Sequence, residues 1–189
     1  MVDHFGLAAP FYERFAKVLD PATLSAHLGL PVRGRLLDAG GGTGRVAKAL
    51  CGMAGEIVVC DLSAGMLRQA VGKVCVEAVQ AHTELLPFAD ASFERIIVVD
   101  AFHHFVDQKA AVAALWRVLA PGGRLVIEEP NIDTLMVKGV ALAERVVLMR
   151  SRFYSPRDMA QMLQAAGGQV SIHSAHAFNA WIVADKAAP

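Results

Sequence analysis

The stretch Leu36-Leu37-Asp38-Ala39-Gly40-Gly41-Gly42-Thr43-Gly44 decides the fold. It begins as an apolar run, meets an acid and crosses a turn that has almost no side chains, and a helical pattern starts near Arg45. Glycine lets the backbone adopt positive φ angles and lets a ligand approach the main chain closely. The first turn of the following helix offers unpaired N–H groups. The stretch therefore predicts a strand, a ligand-binding loop and a helix N-terminus, although a tight turn without a ligand would have the same glycines.

The spacing of the glycines separates two classes of ligand. The dinucleotide fingerprint G-x-G-x-x-G/A fails, because Arg45 stands at its last position. The chain instead has D-x-G-x-G-x-G, which resembles the first motif of class I S-adenosylmethionine-dependent methyltransferases. The resemblance implies S-adenosylmethionine as cofactor and a binding loop formed by Asp38, Gly40, Gly41, Gly42 and Gly44.

Composition bounds the fold and the partners. The 189 residues suit a single domain, 1–189, and the 54% apolar content argues against disorder. Lys+Arg and Asp+Glu are equal at 18 each, and no run of like charges occurs, so no nucleic-acid partner is expected. No apolar run reaches the ~18 residues of a membrane span, and the N-terminus has no leader pattern. We expect a cytoplasmic protein with no membrane span.

The cysteines and histidines do not form a metal site in the sequence. Cys51, Cys60 and Cys75 make no C-x-x-C pair, and Cys60 lies in an apolar run, so reduced, structural cysteines are expected. His103, His104 and Asp107 could be metal ligands, but they are too close together in one loop for the usual spacing of a zinc site. The prediction is that the protein holds no metal.

A second acidic position follows the second predicted strand, Glu56 to Asp61. A carboxylate at this place can accept both hydrogen bonds of a ribose diol, or it can begin the next helix. The segment Ser63 to Leu67 resembles the family's D-x-S-x-x-M-L, whose methionine packs against adenine. The resemblance implies cofactor contacts from Asp61, Leu62 and Met66, whereas Met66 in an ordinary helix core is the alternative.

The third predicted strand, Val74 to Gln80, leads into a segment that is similar to the family's G-D-A-E-x-L-P-F. The sequence departs from that motif at His82, where the family usually has the aspartate that contacts the adenine amino group. A neutral imidazole nitrogen could accept the same hydrogen bond, with help from the backbone of Thr83. His82 and Thr83 are therefore predicted cofactor contacts.

The fourth predicted strand, Phe93 to Asp100, is followed by Phe102-His103-His104-Phe105. Ligands of open α/β sheets bind beyond the carboxyl ends of the strands, so Asp100 is expected beside the cofactor and the histidines beside the reacting methyl group. An imidazole pKa near ~6.5 suits a base at neutral pH. His103 is the first candidate base and His104 the second; alternatively, they orient the substrate or fill the wall.

The histidine segment resembles that of small-molecule methyltransferases, and the N-P-P-Y type motif of DNA amino-methyltransferases is missing. At the N-terminus, Ala9 to Tyr12 is similar to the A-P-x-Y segment of the ubiquinone/menaquinone biosynthesis methyltransferases. The G-L-R-N type segment of those quinone enzymes does not follow Asp100. By the resemblance, residues 1–30 are N-terminal cap helices over the cofactor; plain packing is the alternative.

The remaining segments complete the predicted fold. Arg117 to Gly123 is similar to the family's R-V-L-K-P-G-G, Arg124 to Glu129 reads as a fifth strand, and Val170–Ile172 and Ala180–Ala184 read as a terminal pair. We expect an α/β, doubly wound, Rossmann-like seven-stranded sheet that is mostly parallel, with an antiparallel last strand and helices on both faces. Residues 131–153 hold a nearly all-apolar segment, predicted as an inserted lid or as the dimer helix of a homodimer, with a plain core helix as the alternative.

The functional prediction follows from the cofactor motifs. The chain is expected to be a methyltransferase that moves the methyl group of S-adenosylmethionine in line onto a small, partly apolar molecule. Two alternatives stay open: a non-catalytic S-adenosylmethionine-binding module and a nucleotide-dependent oxidoreductase.

Overall fold

The computed structural model describes residues 20–72, 75–134, 137, 151–176 and 178–189. These residues form one sheet of seven strands. The strands are β1 Arg35–Ala39, β2 Glu56–Asp61, β3 Val76–Gln80, β4 Phe93–Val99, β5 Leu119–Pro130, β6 Gly168–His176 and β7 Asn179–Lys186. The helices are α1 Pro21–Leu28, α2 Arg45–Ala49, α3 Ala64–Ala70, α4 Gln108–Val118 and α5 Pro156–Ala165, with 3₁₀ turns at Thr83–Leu85 and Phe102–His104.

The strand order is β3-β2-β1-β4-β5-β7-β6. Strands β1 to β5 pair in parallel, while β7 runs antiparallel to both β5 and β6. The predicted doubly wound sheet with an antiparallel last strand is therefore confirmed. The chain reverses its direction of travel across the sheet between β1 and β4, and this switch point is where such sheets bind ligands.

The sheet is covered on both faces, which explains why its central strands read as unbroken apolar runs. Alternate residues of a strand point to opposite faces, so Leu37 and Ile96 belong to one core and Leu36 and Ile97 to the other. The first core contains side chains of α4 and α5, and the second contains side chains of α1, α2 and α3.

Helix starts follow the local sequence. Asp20 caps α1 by accepting hydrogen bonds from the backbone N–H groups of Ala22 and Thr23, and Ser155 and Asp158 form a reciprocal capping box at the start of α5. Of the predicted cap helices in 1–30, α1 is described and residues 1–19 lie outside the described part. Most of the predicted 131–153 insertion, residues 135–136 and 138–150, also lies outside it, so the lid or dimer helix stays a prediction.

Two sequence-based expectations differ from the structure. Strand β5 begins at Leu119 rather than at Arg124, because Leu119 pairs with Phe93 and a register shift lets the strand continue past the intervening proline and glycines. The expectation of reduced cysteines is wrong for Cys51 and Cys75, which form a disulfide with Cα atoms 6.0 Å apart. The bridge joins the end of α2 to the start of β3, and that proximity is not visible in local spacing. Cys60 is free and buried, as expected.

Candidate functional site

The glycine-rich loop has the backbone that its sequence predicts. Gly40 and Gly42 have φ angles of +71° and +55°, in the left-handed region. A Cβ atom at Gly40 would lie 2.7 Å from the Cβ of Ala101, so this glycine lets the loop contact the turn after β4. A Cβ at Gly42 would meet nothing closer than Asp61 Oδ2 at 3.9 Å and Met66 Sδ at 4.0 Å. A methyl group at Gly42 would therefore make only ordinary van der Waals contacts, with the Asp61 carboxylate and the Met66 thioether as its nearest neighbours.

Asp38 supports the loop from the end of β1. Its side chain is buried, with 1% of the residue exposed, and Oδ2 accepts the backbone N–H of Ala47 at 3.3 Å. A Cβ at Gly41 would lie 2.6 Å from the Asp38 carboxyl carbon, so the loop packs directly on the carboxylate. The other oxygen, Oδ1, is buried and accepts no hydrogen bond from the residues that the structure describes. Burial raises the pKa of Asp38 to about 7, although the Ala47 N–H and Arg45 act in the opposite direction.

Stability should depend on pH through Asp38. Its pKa is higher in the folded state, about 7, than its ordinary value of 3.8, so its contribution is fully present below pH ~4 and is lost as the pH rises through ~7. The whole shift corresponds to roughly 4 kcal/mol. Asp38→Asn removes the titration, so the variant should gain stability relative to wild type by up to that amount between pH 4 and pH 8. Denaturant unfolding at several pH values measures the difference in the free energy of unfolding. If that difference did not change with pH, the raised pKa of Asp38 would be contradicted.

Asp61 connects the glycine-rich loop to the next helix. Its Oδ2 accepts the backbone N–H of Gly42 at 2.9 Å, and its Oδ1 accepts the N–H of Ser63 at 2.8 Å. Ser63 is the N-cap residue of α3, with its Oγ accepting the N–H of Met66. A carboxylate at this strand end is also a group to which ribose hydroxyls can donate. Met66 is buried beside the loop, whereas Leu62 is half-exposed.

His82 and Thr83 lie in the turn after β3. Thr83 is buried, while the side chain of His82 is 50% exposed, with Nδ1 3.7 Å from an oxygen of Glu84. The other oxygen of Glu84 accepts the backbone N–H groups of Val106 and Asp107. Glu84 therefore connects this turn to the loop after β4. The adenine contacts of His82 and Thr83 stay predictions.

The two predicted histidines lie together in the turn beyond β4. His103 is 3% exposed, its ring stacks on Phe153 at 4.4 Å between centroids, and the His104 ring centroid is 3.9 Å away. His104 Nδ1 lies 3.2 Å from the hydroxyl of Ser151. Burial, with a smaller effect of His103, lowers the pKa of His104 to about 3. Asp100, which precedes this turn, has a φ of +53° and donates its backbone N–H to the carbonyl of Glu128.

Glu129 is a site residue that sequence reasoning missed. It is 2% exposed at the end of β5, and its Oε1 accepts the backbone N–H groups of Ala101 and Phe102 at 2.9 and 2.7 Å. Its Oε2 lies 2.6 Å from His103 Nδ1. Burial raises the pKa of Glu129, and the neighbouring His103 opposes this shift. The available signal was an apolar strand that ends in two acids at the edge where ligands bind.

The described end of the 131–153 segment lies across the histidine turn. Besides the stacking of Phe153, the backbone N–H of Arg152 donates to the carbonyl of His103 at 2.8 Å, and Gln108 Nε2 donates to the carbonyl of Arg152 at 3.4 Å. Tyr154 packs edge-on against Phe102. Residues 152–154 therefore hold the histidine turn in place together with Glu129, and Phe153 adds an aromatic ring beside His103.

The structure thus brings most of the predicted residues to one edge of the sheet. The glycine backbone at Gly42, the carboxylate of Asp61 and the thioether of Met66 are groups that suit a ligand with a hydroxyl-bearing sugar and an aromatic base. The adjacent turn holds imidazoles and a buried carboxylate, groups that can move a proton. Among the described residues, no three histidine, cysteine or acidic side chains cluster as a metal site, and no helix is both long and apolar enough for a membrane crossing.

Comparisons with known proteins agree with this geometry. The methyltransferase domain family matches residues 37–127. The ubiquinone/menaquinone biosynthesis C-methyltransferase UbiE of Francisella philomiragia is 37% identical over 114 residues, which cover 55% of this chain and 46% of that protein. The chain therefore spans about half the length of the curated relatives it matches.

Solved structures show the same fold at lower identity. The YcgJ protein from Bacillus subtilis has a TM-score of 0.78 at 20% identity, covering 89% of this chain and 98% of that one. A possible histamine N-methyltransferase from Thermotoga maritima has a TM-score of 0.77 at 23% identity, covering 96% and 97%. Together with the glycine-rich loop and the acid after β2, the family match identifies residues 37–127 as a methyltransferase domain of the class I S-adenosylmethionine-dependent type.

Proposed function

We propose that this chain transfers the methyl group of S-adenosylmethionine to a small, partly apolar molecule. The observation that supports this proposal most directly is the group formed by Asp61, Met66 and the glycine-rich loop, in which Asp61 Oδ2 accepts the Gly42 N–H at 2.9 Å and a Cβ on Gly42 would lie 4.0 Å from Met66 Sδ. It lies at the switch point of the sheet, and the histidine turn contacts the same loop through Ala101 and Gly40. The histidine turn therefore lies beside the loop that would hold the cofactor.

The residues of this chain have separable tasks in that reaction. The backbone of the glycine-rich loop would hold the amino-acid part of the cofactor, Asp61 the ribose, and Met66 with the His82–Thr83 turn the adenine. Bound S-adenosylmethionine supplies a methyl group on a sulfonium, which is already a good leaving group. The protein has mainly to hold the acceptor in line with that methyl group, and positioning of this kind lowers a barrier by ~7–11 kcal/mol.

The acceptor side is aromatic, which favours a molecule with an apolar ring. The ring of Phe153 stacks on His103, while Phe105 and Tyr154 pack edge-on against the buried ring of Phe102, the residue before His103. The relatives named as ubiquinone/menaquinone biosynthesis C-methyltransferases suggest a quinol-type ring as one acceptor. Because the chain has no G-L-R-N type segment, we propose the broader class of small aromatic acceptors.

A matched pair of glycine variants tests the cofactor site. Gly42 and Gly52 both have positive φ angles, +55° and +80°, so alanine at either position carries a backbone cost of ~1–2 kcal/mol. Only at Gly42 does the added methyl enter the proposed cofactor space. Gly42→Ala should weaken S-adenosylmethionine binding by about 1–3 kcal/mol, whereas Gly52→Ala should bind as wild type does. Titration calorimetry measures both affinities, and thermal unfolding separates them from stability.

The same titrations decide between the alternatives. Binding of NADH without S-adenosylmethionine or S-adenosylhomocysteine would contradict the proposed function and favour an oxidoreductase. Binding of both methyl-cycle ligands without turnover on a panel of phenols, hydroquinones and amines would favour a non-catalytic module. If the two glycine variants bound S-adenosylmethionine with equal affinity, the proposal that the cofactor lies beside Gly42 would be refuted.

A further inference from the structure

The carboxylate of Glu129 is held in one orientation by two donors that cannot act as acceptors. Its Oε1 accepts the backbone N–H groups of Ala101 and Phe102, and a backbone N–H can only donate. Oε1 must therefore be an acceptor. Any proton between Glu129 and His103 has to lie on the other side of the carboxylate, between Oε2 and Nδ1, which are 2.6 Å apart.

The chemistry of the two groups decides where that proton resides. Burial raises the pKa of Glu129, whereas the adjacent His103 ring and the N–H donors stabilise the negative charge of the carboxylate. An imidazole nitrogen is ordinarily a much stronger base than a carboxylate. The proton therefore stays on Nδ1, and the lone pair of a neutral His103 ring is at Nε2. The hydrogen bond at one ring nitrogen thus decides whether the other nitrogen carries a proton or a lone pair.

We infer that Glu129 is a positioning residue that holds His103 as its Nδ1–H tautomer, so that Nε2 removes the proton of an acceptor hydroxyl group, as in a phenol or hydroquinone. This inference rests on the proposed methyl transfer and names its acceptor class. The ring of Phe153, which stacks on His103, suits the ring of such an acceptor. His104 is the poorer base, since burial lowers its pKa to about 3.

The proton and electron count closes within the site. The acceptor O–H bond breaks and its proton moves to His103 Nε2. An electron pair of the acceptor, on oxygen or on a ring carbon, forms the bond to the methyl carbon, while the bond between that carbon and sulfur breaks with its pair left on sulfur. The resulting imidazolium is paired with the Glu129 carboxylate. Its extra proton passes to water once the product has left; methylation at carbon also releases the ring proton to water.

Glu129→Gln reverses the tautomer without changing the size of the side chain. The glutamine carbonyl has to face the N–H groups of Ala101 and Phe102, so its NH₂ group faces His103 Nδ1. Nδ1 must then accept, and the proton moves to Nε2. Glu128→Gln is the matched control, because Glu128 is the neighbouring residue of the same strand, is equally buried and binds Asn179 instead of His103. Adjacent residues of a strand point to opposite faces of the sheet.

The first measurement needs no substrate. In ¹⁵N-histidine-labelled protein at pH 7.5, the ring nitrogens of His103, assigned with a His103→Gln variant, should show Nδ1–H in wild type and in Glu128→Gln, and Nε2–H in Glu129→Gln. A wild-type ring protonated at Nε2 alone, or at both nitrogens, would overturn the inference. The same tautomer in wild type and Glu129→Gln would also overturn it.

The second measurement uses turnover with an acceptor from the phenol and hydroquinone panel. Glu129→Gln should lower kcat about 100-fold, with the KM for acceptor and the affinity for S-adenosylmethionine close to wild type. The described titratable groups around His103 are Glu129 and His104, with Asp100 acting on Glu129. In wild type, kcat/KM should rise with pH as His103 becomes neutral. This rise should be lost in Glu129→Gln, and a variant that kept it would overturn the inference. Failure of wild type to bind S-adenosylmethionine would instead contradict the proposed function and leave the tautomer result standing.

Discussion

Replacing Asp61 with alanine is expected to weaken S-adenosylmethionine binding by about 1,000-fold, or ~4 kcal/mol, because hydrogen bonds to a charged group contribute ~1.5–3 kcal/mol each. The carboxylate holds the N–H groups of Gly42 and Ser63, and in the bound state it would also accept the ribose hydroxyls. The variant therefore loses a ligand contact and the bond that shapes the loop around it. Titration calorimetry gives the affinity, and thermal unfolding shows whether the fold survives.

Two control variants make this result specific. Asp90→Asn changes an acid that is 77% exposed and pairs with Arg117 on the surface, so its cofactor affinity should equal that of wild type. Asp61→Asn keeps the size of the side chain but has only one accepting oxygen, so its affinity should fall between wild type and Asp61→Ala. Wild-type affinity in a folded Asp61→Ala protein would refute the ribose assignment.

The part of the site near β1 and β2 could be predicted because its determinants are local. The glycines, Asp38 and Asp61 stand next to apolar runs that have to be strands, and the parallel sheet then brings the two strand ends together. The helix caps at Asp20 and Ser155 are local for the same reason, since a side chain there bonds to a backbone group two or three residues away.

Contacts between distant segments were not predictable in the same way. Glu129 and His103 are 26 positions apart, and only the register of β4 with β5, in which Val99 faces Glu128, places the carboxylate beside the histidine turn. The disulfide between Cys51 and Cys75 likewise depends on how α2 ends beside β3. An acid at the end of a strand predicts a site residue but does not name its partner.

The structure also shows which of the two histidines is the better base, a comparison for which the sequence offers no physical argument. His103 has a buried carboxylate at Nδ1, which would stabilise the ring once it has accepted a proton. His104 has the hydroxyl of Ser151 at Nδ1 and a pKa lowered to about 3 by burial. A base is most effective when its pKa is near the working pH, which makes His104 the weaker proton acceptor.

Replacing His103 with glutamine is therefore expected to lower kcat by about 100- to 10,000-fold, the usual contribution of a general base. Glutamine is the informative substitution, because its NH₂ group can still donate to Glu129 while it provides no basic nitrogen. The turn after β4 should stay in place, so the affinity for S-adenosylmethionine should change little. Turnover with the acceptor found in the panel and calorimetry with the cofactor measure the two effects separately.

His104→Gln is the matched variant, with the same substitution in the neighbouring ring. With a pKa of about 3, His104 is neutral at pH 7, so its replacement removes no charge and no effective base. Its kcat should fall less than about 10-fold. Equal losses in the two variants would mean that the histidines only shape the wall of the acceptor site, and wild-type turnover in His103→Gln would eliminate His103 as the base. If kcat fell strongly only in His103→Gln, loss of the base would explain the result. Both variants introduce the same glutamine side chain, so an effect on packing would be expected in both.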